Sequence, residues 1–441
     1  MPKKGKKIDP QAVDIISLGC SKNLVDSEQL MRLFTAHGYS VAHEPKSSRG
    51  NIVVINTCGF IDAAKEESVN VILEFAEARK TGAIQQLYVM GCLSERYLAE
   101  LQKLIPEVDK FYGKFNWRQL LDDLGNTPLN APTAEWANGR VLTTPHHYAY
   151  LKISEGCDRT CSFCAIPKIT GKQKSRSIES LEQEVKSLVK QGVKEFQLIA
   201  QDLTAYGTDL YKKQAIAELV DRLSNIDGVK WIRLHYAYPK KFPMNLLKVM
   251  REKKNVCKYL DIALQHSSNS ILKRMRRNIT RQETVDLVHK IRQEVPGIYL
   301  RTTLMVGFPD EMSVDHEDLL RFVEEMRFER MGAFMYSREE GTTAEHYIDT
   351  VSPEIKQQRL DEVMHLQATI AEEINAEKIG KIVKVIIDRA EDEFYIGRTE
   401  YDSPEVDPEV FVKKTRPLST GAFYKVAITE IQGYDLIGEV L

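Results

Sequence analysis

Glu155-Gly-Cys-Asp-Arg-Thr-Cys-Ser-Phe-Cys164 is the stretch that decides the fold, because it sets Cys157, Cys161 and Cys164 in C-x₃-C-x₂-C spacing directly after a predicted strand. Three thiolates on a tight loop can bind three irons of a cubane and leave the fourth iron open. Iron–sulfur clusters are ordinarily held by four cysteines, so a motif that stops at three indicates a non-protein ligand at the fourth iron. Structural zinc is the alternative, but zinc requires a fourth ligand and usually a second C-x₂-C pair, and neither lies nearby in the sequence.

The spacing of this motif, with the aromatic Phe163 before the last cysteine, resembles the signature of the radical S-adenosylmethionine (SAM) superfamily. The resemblance implies that Cys157, Cys161 and Cys164 hold a catalytic [4Fe–4S] cluster whose open iron chelates the amino and carboxylate groups of SAM. Electron transfer from that cluster would cleave SAM to a 5′-deoxyadenosyl radical. In such enzymes the cofactor carries the difficult chemistry, and the protein orients it and excludes water.

The resemblance also implies SAM contacts at Phe163, Asp202, Gln265, Arg301 and Val306, although each of the last four also has a structural alternative. Asp202 follows the second predicted strand of the middle segment of the chain, where the superfamily commonly has a Gly-Gly-Glu-like element. Here the carboxylate is shorter and the glycines are absent, and the alternative role of Asp202 is to cap the following loop. Arg301 lies on a predicted inner strand, where a buried cation needs an anionic partner.

The sequence around the motif predicts an α/β fold in several parts. Alternating β-rich and amphipathic runs in the first segment predict βαβ units and a parallel sheet. The middle segment repeats strand and helix about six times, which predicts a partial, open (β/α)₆ barrel. From about Lys378 short β-rich runs predict a small antiparallel barrel or sandwich. The predicted parts are an N-terminal domain (10–125), a linker (126–142), a central domain (143–376) and a C-terminal all-β domain (377–441).

Three further cysteines, Cys20, Cys58 and Cys92, each follow a predicted strand of the N-terminal domain by one to three residues. Ligands of such sheets gather beyond the carboxyl ends of the strands. A single free cysteine is often only a small core residue, and Cys257, in a predicted helix-to-strand connection, is expected to be one. Three cysteines at equivalent strand ends favour a second metal site.

Taken together, nearly the whole chain resembles the methylthiotransferase family of radical SAM enzymes. The matching motifs are Ser17-Leu-Gly-Cys-Ser-Lys-Asn-Leu-Val-Asp-Ser-Glu28, Asn56-Thr-Cys-Gly-Phe-Ile-Asp62 and Met90-Gly-Cys92. The resemblance implies an auxiliary [4Fe–4S] cluster on Cys20, Cys58 and Cys92, a central radical SAM domain and a C-terminal TRAM domain. The auxiliary cluster would hold the sulfur to be inserted. One SAM would methylate that sulfur, and a second would supply the radical that removes a hydrogen atom from an unactivated carbon.

The family modifies either tRNA adenosine or the β-carbon of an aspartate in the twelfth small-subunit ribosomal protein. The residues around Cys20, Gly-Cys-Ser-Lys-Asn, favour the ribosomal protein, since the tRNA enzymes tend to carry Gly-Cys-Gln-Met-Asn at this position. Lys378–Leu441 contains 9 basic and 12 acidic residues, a net charge of −3. A tRNA-binding surface should be basic, whereas an acidic one suits a basic ribosomal protein. A tRNA methylthiotransferase stays as an alternative, and a noncatalytic iron–sulfur RNA-binding protein as a remote one.

Composition excludes several other classes of protein. With 61 basic and 63 acidic residues, the chain is not coated for nonspecific nucleic-acid binding. It has no apolar run near the roughly 18 residues that a membrane span needs and no signal peptide after its basic start, so we expect a cytoplasmic protein. In that reducing compartment the seven cysteines indicate metal binding rather than disulfides. The resemblance implies an electron donor as a further partner.

Overall fold

The computed structural model describes residues 9–46, 50–125 and 140–441. Most of the predicted linker, 126–142, therefore lies outside the described residues. The chain divides into two compact units. The first contains the described residues of Met1–Thr143 with Glu155–Asp158 and Ala165–Gln173, and the second contains Thr144–Ser154, Arg159–Cys164 and Lys174–Leu441.

The first unit is built on a five-stranded sheet in the order β2-β1-β3-β4-β5, in which all paired strands are parallel. Its strands are β1 (Asp9–Ser17), β2 (Ser40–His43), β3 (Gly50–Thr57), β4 (Gln86–Gly91) and β5 (Lys110–Phe111), and its helices are α1 (Ser21–Ala36), α2 (Asp62–Lys80), α3 (Cys92–Leu104), α4 (Trp117–Asp123) and α5 (Ile166–Thr170).

Near-continuous apolar runs form the central strands because helices cover both faces of this sheet. Ile52 and Val54 pack into one core with α1, while Val53 and Ile55 pack into a second core with α2 and α3. The predicted parallel α/β domain is therefore confirmed. The edge strands β2 and β5 were not predicted, because four and two residues leave almost no periodic signal.

The second unit contains a six-stranded open sheet in the order β13-β12-β11-β10-β9-β6, again with parallel pairs. Neighbouring strands of this sheet are consecutive along the chain, as expected for repeated βα units of a partial barrel. The elements of this part of the chain are β6 (Tyr148–Lys152), β7 (Ser154–Glu155, whose second residue belongs to the first unit), β8 (Lys174–Ser175), α6 (Ile178–Lys190), β9 (Glu195–Ile199), α7 (Ile216–Ser224), β10 (Trp231–Ala237), α8 (Asn245–Glu252), β11 (Val256–Gln265), α9 (Asn269–Arg274), α10 (Arg281–Glu294), β12 (Tyr299–Val306), α11 (Ser313–Met326), β13 (Arg330–Met335) and α12 (Pro353–Ala376).

Cys257 corrects one detail of the prediction. It lies inside β11, which begins at Val256, and not in a helix-to-strand connection. Its side chain is buried against Trp231 and Tyr259, as expected of a core residue.

A small closed barrel ends the second unit, with strand order β14-β15-β16-β18-β17. Its strands are β14 (Ile382–Ala390), β15 (Phe394–Thr399), β16 (Val410–Lys413), β17 (Phe423–Gln432) and β18 (Asp435–Val440). Closure removes the exposed strand edges that a sandwich of this size would leave. The last strand, β18, was not predicted, and it pairs in parallel with β16 and antiparallel with β17. Among the described helices none is both long and apolar enough to cross a membrane.

A buried ionic cluster joins the open sheet to the closed barrel. The Glu195 carboxylate, at the start of β9, accepts hydrogen bonds from Arg398 at 2.8 Å and from Arg233 at 3.1 Å. Arg398 also donates to Asp388 at 2.6 Å, and His147 lies 2.7 Å from the same carboxylate. Burial opposes ionisation of Glu195, but the two guanidinium groups outweigh it and hold its pKa below the usual value.

The acidic segment Glu400–Glu409 also lies against the open sheet. Arg330 forms an ion pair with Asp402 at 2.5 Å, and the Tyr259 hydroxyl donates to Asp407 at 2.7 Å. Tyr148 and Tyr150 both donate to Glu405, at 3.1 and 2.9 Å. These partners all lie on strands β6, β11 and β13.

These contacts correct the charge argument made from the sequence. Asp402 and Asp388 lie in internal ion pairs, and the Glu405 carboxylate is occupied by two tyrosines. Part of the net charge of −3 in Lys378–Leu441 is consequently used inside the protein, while Glu391, Asp392 and Glu393 stay exposed. The charge count alone therefore does not describe the charge of the surface.

Replacing Glu195 by Gln should lower the free energy of unfolding by about 3–5 kcal/mol, because two buried guanidinium groups lose their carboxylate. Urea denaturation followed by tryptophan fluorescence measures the change. Trp231 is a suitable reporter, because it contacts Phe423 of the closed barrel at 4.8 Å between ring centroids. The control is Glu218→Gln at an exposed pair with Lys213, which should cost less than about 1 kcal/mol. Equal losses in the two variants would contradict the importance of the buried cluster.

Candidate functional site

The three cysteines of the predicted auxiliary site lie at the carboxyl edge of the first unit's sheet. Cys20 caps the start of α1 just after β1, Cys58 follows β3 directly, and Cys92 is the first residue of α3 after β4. Parallel strands end at the same edge, so their loops meet there.

Two glycines show how close these loops approach each other. Gly19 has φ +91°, and a Cβ atom added there would lie 2.5 Å from Cβ and 2.7 Å from Sγ of Cys58. A Cβ atom at Gly59 would lie 2.8 Å from the carbonyl carbon of Cys92. Only glycine fits at either position, since real side chains do not make such short contacts. The sequence therefore brings all three cysteine loops into contact.

Asn23 of α1 connects the same loops through its side chain. Its Nδ2 donates to the carbonyl oxygens of Leu18 at 3.1 Å and Thr57 at 2.9 Å, and its Oδ1 accepts from Sγ of Cys92 at 3.6 Å. Asn23 is itself buried. Asn23 belongs to the first N-terminal cysteine motif, but nothing in the sequence indicated this role.

The thiols of this site differ in their electrostatic surroundings. Burial raises the pKa of Cys92 to about 12 and also raises that of Cys58. Cys20 is exposed. The surrounding protein disfavours its thiolate, but the Lys22 ammonium and the backbone N–H of Asn23 outweigh this effect and lower the pKa of Cys20. A bound metal would supply the positive charge that buried thiolates need.

Lys114 is a buried cation at this site that the sequence analysis missed. Its Nζ lies 3.8 Å from Sγ of Cys92, 3.3 Å from Oδ2 of Asp26 and 3.7 Å from Oε1 of Glu155. Burial disfavours the charged form, but the two carboxylates outweigh it and raise the pKa of Lys114. No motif marks Lys114, because its partners are distant in the sequence.

The C-x₃-C-x₂-C motif forms the loop between β7 and α5. Gly156 has φ +80°, and a Cβ atom there would collide with the carbonyl oxygen of Lys172. The N–H of Cys157 donates to the carbonyl oxygen of Gly171 at 3.1 Å, and that of Cys164 donates to Cys161 at 3.2 Å. Helix α5, which follows this loop, packs Ala165 and Ile169 against Cys92.

Cys161 lies against a cationic and aromatic group in the second unit. Nη1 of Arg277 lies 3.4 Å from Sγ of Cys161. The guanidinium groups of Arg277 and Arg159 lie 4.2 and 4.0 Å from the ring centroid of Tyr238. Ser162 fixes the loop next to Cys161, since its hydroxyl donates to the carbonyl oxygen of Arg274 at 2.7 Å.

Gln265 and Val306 are the last residues of β11 and β12, at the carboxyl end of the open sheet. Gln265 has φ +74°, and its buried Oε1 has no hydrogen-bond partner among the described residues. A buried amide oxygen of this kind needs a donor, and an ammonium or N–H group of a ligand would supply one. Val306 is fully buried, and its carbonyl oxygen accepts from the N–H of Tyr336 at 2.9 Å. Phe163 packs edge-to-face on Phe308 at 6.5 Å between ring centroids.

Asp202 and Arg301 already have partners within the protein. Asp202 accepts from Nε of Arg159 at 2.7 Å and from the N–H of Thr204 at 2.9 Å, so it caps the following turn. Arg301 lies 3.5 Å from Asp261 and 3.3 Å from Asp407. These carboxylates are the anionic partners that a buried cation requires, and SAM contacts by Asp202 and Arg301 stay predictions.

The donor set at each site fits an iron–sulfur cluster. Each site offers three cysteine sulfurs, the ligand on which such clusters depend. A structural zinc site would take four protein ligands.

Three family profiles match the chain. They are the Uncharacterized protein family UPF0004 over residues 12–113, the Radical SAM superfamily over 151–323 and the TRAM domain over 379–441. The radical SAM and TRAM parts of the predicted fold are thereby confirmed.

The chain is also similar over nearly its whole length to curated proteins named "Ribosomal protein uS12 methylthiotransferase RimO". The protein of Parabacteroides distasonis is 60% identical over 97% of this chain and 99% of that protein. The protein of Phocaeicola vulgatus is 61% identical with the same coverage, and that of Flavobacterium psychrophilum is 51% identical over 98% and 99%.

Two solved structures resemble the chain at much lower identity. The radical SAM methyltransferase TsrM from Kitasatospora setae is 11% identical, with a TM-score of 0.56 over 82% of this chain and 89% of that chain. The cobalamin-dependent SAM radical enzyme OxsB is 13% identical, with a TM-score of 0.52 over 82% and 58%. At these identities the likeness concerns the fold alone.

Iron and sulfide counts on reconstituted variants test the two cysteine sites separately. Cys20→Ala and Cys157→Ala should each lose about half of the bound iron, because each substitution removes one of the three ligands of one cluster. Cys257→Ala is the control and should retain all the iron, since Cys257 lies in the core of the open sheet. Loss of all iron in either variant, or of none, would contradict two independent sites.

Proposed function

Because this chain belongs to the ribosomal protein uS12 methylthiotransferase RimO family of radical SAM enzymes, we propose that it methylthiolates ribosomal protein uS12. The modified position is the β-carbon of an aspartate of that protein. The observation that carries the proposal is the identity of about 60% over 97% of the chain to relatives that bear this name. The two three-cysteine sites supply the ligands that the chemistry needs.

Cys157, Cys161 and Cys164 would hold the [4Fe–4S] cluster that the radical SAM superfamily uses with SAM, and we propose a second [4Fe–4S] cluster on Cys20, Cys58 and Cys92. When bound, the first supplies the electron that cleaves SAM and the second supplies the sulfur that is transferred. The protein itself fixes the loops. Gly19 permits the close approach of the first-unit loops, and Ser162 anchors the radical SAM loop.

Gln265 is the best supported of the proposed SAM-binding residues. Its unsatisfied Oε1 lies at the carboxyl end of β11, where ligands of such sheets bind, and it would accept a hydrogen bond from SAM. Phe163 and Val306 would line the same end of the sheet. Asp202 and Arg301 would contribute by holding Arg159 and Asp261 in place, in addition to any contact with SAM.

Ribosomal protein uS12 is the proposed protein partner, possessing the aspartate that receives the methylthio group, and a reducing electron donor is the other. We place the reaction in the cytoplasm, where ribosomes and their proteins reside, and propose that tRNA is not a substrate. The first motif supports this choice, because Ser-Lys-Asn follows Gly19-Cys20 in place of the Gln-Met-Asn of tRNA enzymes. The domain boundaries proposed for this enzyme are 10–125, 143–376 and 377–441.

Reconstituted enzyme incubated with SAM, dithionite and recombinant uS12 should produce 5′-deoxyadenosine and add about one methylthio group per uS12. Liquid chromatography and mass spectrometry measure both products. tRNA without a methylthio group, supplied in place of uS12, should gain none. The Cys161→Ala variant should form neither product. Methylthiolation of tRNA with unchanged uS12 would overturn the assignment of substrate. Absence of 5′-deoxyadenosine from enzyme with both clusters intact would overturn the radical chemistry.

Replacing Gln265 by Leu should weaken SAM binding about ten- to a hundredfold, because one buried hydrogen bond to a charged ligand is worth about 1.5–3 kcal/mol. Isothermal titration calorimetry on the reconstituted enzyme measures the dissociation constant. Gln357→Leu, on the exposed face of α12, is the matched control and should bind SAM as the wild type does. Unchanged affinity in Gln265→Leu would remove Gln265 from the SAM site.

A further inference from the structure

Lys114 has no part in the chemistry proposed above, yet it lies against the first-unit cysteine site. Its side chain is 3% exposed, on the short segment between β5 and α4. A buried ammonium group costs free energy unless charges of opposite sign and hydrogen bonds compensate it. Lysine at this position therefore needs a reason.

The backbone of Lys114 is held by the helix that begins with Cys92. The N–H of Lys114 donates to Oε2 of Glu95 at 2.8 Å. Gly113 allows this approach, since a Cβ atom there would collide with the same carboxylate oxygen. Cys92 and Glu95 both lie in the first turn of α3. The lysine and the sulfur it contacts are consequently fixed by one rigid element.

The ammonium group lies between a sulfur and two carboxylates. Its distance to Sγ of Cys92 is 3.8 Å, and Asp26 and Glu155 lie at 3.3 and 3.7 Å. The two carboxylates place negative charge beside a sulfur that would ligate iron, and Lys114 offsets part of that charge. A hydrogen bond from an ammonium group to a ligating sulfur draws electron density from the sulfur.

An iron–sulfur cluster becomes more negative by one charge when it accepts one electron. Hydrogen bonds to its sulfurs and nearby cations stabilise the reduced form and raise the reduction potential, and burial strengthens the effect. We infer that Lys114 is a positioning residue that raises the reduction potential of the auxiliary cluster through its contact with Cys92. This inference rests on the proposed function, because it requires the second cluster.

A charge effect and a purely structural role make different predictions for neighbouring substitutions. Lys114→Met removes the cation, and the potential should become more negative. Asp26→Asn removes a carboxylate that competes for the same cation, and the potential should become more positive. A lysine that only holds the loop in place would not give shifts of opposite sign.

The test is a redox titration with dithionite, followed by electron paramagnetic resonance, on reconstituted full-length protein. The variants are compared with both clusters present and with Cys157, Cys161 and Cys164 replaced by Ala, so that the auxiliary signal is isolated.

At the wild-type midpoint potential, Lys114→Met should lower the ratio of reduced to oxidised auxiliary cluster about tenfold, equivalent to about 59 mV for one electron. Lys114→Arg retains the charge and should lie closer to the wild type. Lys103→Met, an exposed lysine of the same unit, should change nothing.

An unchanged midpoint in Lys114→Met with full iron content would overturn the inference and leave the proposed function intact. Shifts of the same sign in Lys114→Met and Asp26→Asn would overturn it as well. If Lys114→Met fails to retain the cluster, Asp26→Asn and Lys114→Arg decide the question: a positive shift in the first and a near-wild-type value in the second support the inference. A Cys20→Ala variant that binds as much iron as the wild type would overturn the auxiliary cluster itself, and the inference with it.

Discussion

Parallel strands end together, and this constraint underlies the first-unit site. The loops after β1, β3 and β4 meet at one edge of the sheet, and each carries a cysteine. Helices on both faces of the sheet connect the end of one strand to the start of the next, so the loops after the strands stay short. Gly19 and Gly59 then allow the loops to approach at distances that no other residue permits. The site is thus a direct result of sheet topology combined with two positions without side chains.

The amino ends of the strands in the second unit serve stability instead of chemistry. Glu195 begins β9 and Arg330 begins β13, and both are paired with groups that come from the closed barrel. The carboxyl ends carry Gln265 and Val306, where the amide oxygen of Gln265 lacks a partner among the described residues. Ion-paired groups at the amino ends and the amide oxygen of Gln265 at a carboxyl end agree with the division between stability and function known for parallel barrels.

Much of the fold could be predicted from sequence, because long apolar runs are local signals. The cysteine spacings are local signals too, and the proposed ligand sets rest on them. The short strands β2 and β5 could not be predicted, since they pair only because their neighbours are already in place. Asn23 and Lys114 were missed for a similar reason, as their partners Thr57 and Glu155 are distant in the chain. The acidic segment was misinterpreted because a charge count does not show which carboxylates face inward.

The segment Glu400–Glu409 has a consequence for how this enzyme can diverge. Its carboxylates match particular side chains of the open sheet, such as Arg330 with Asp402 and Tyr150 with Glu405. Loss of Asp402 would leave the buried Arg330 without this carboxylate, and loss of Glu405 would leave the buried Tyr150 without this acceptor. The two sides are therefore constrained to change together. The C-terminal barrel is consequently not an interchangeable module: transplanting it from a relative requires the matching strand residues to be transplanted with it.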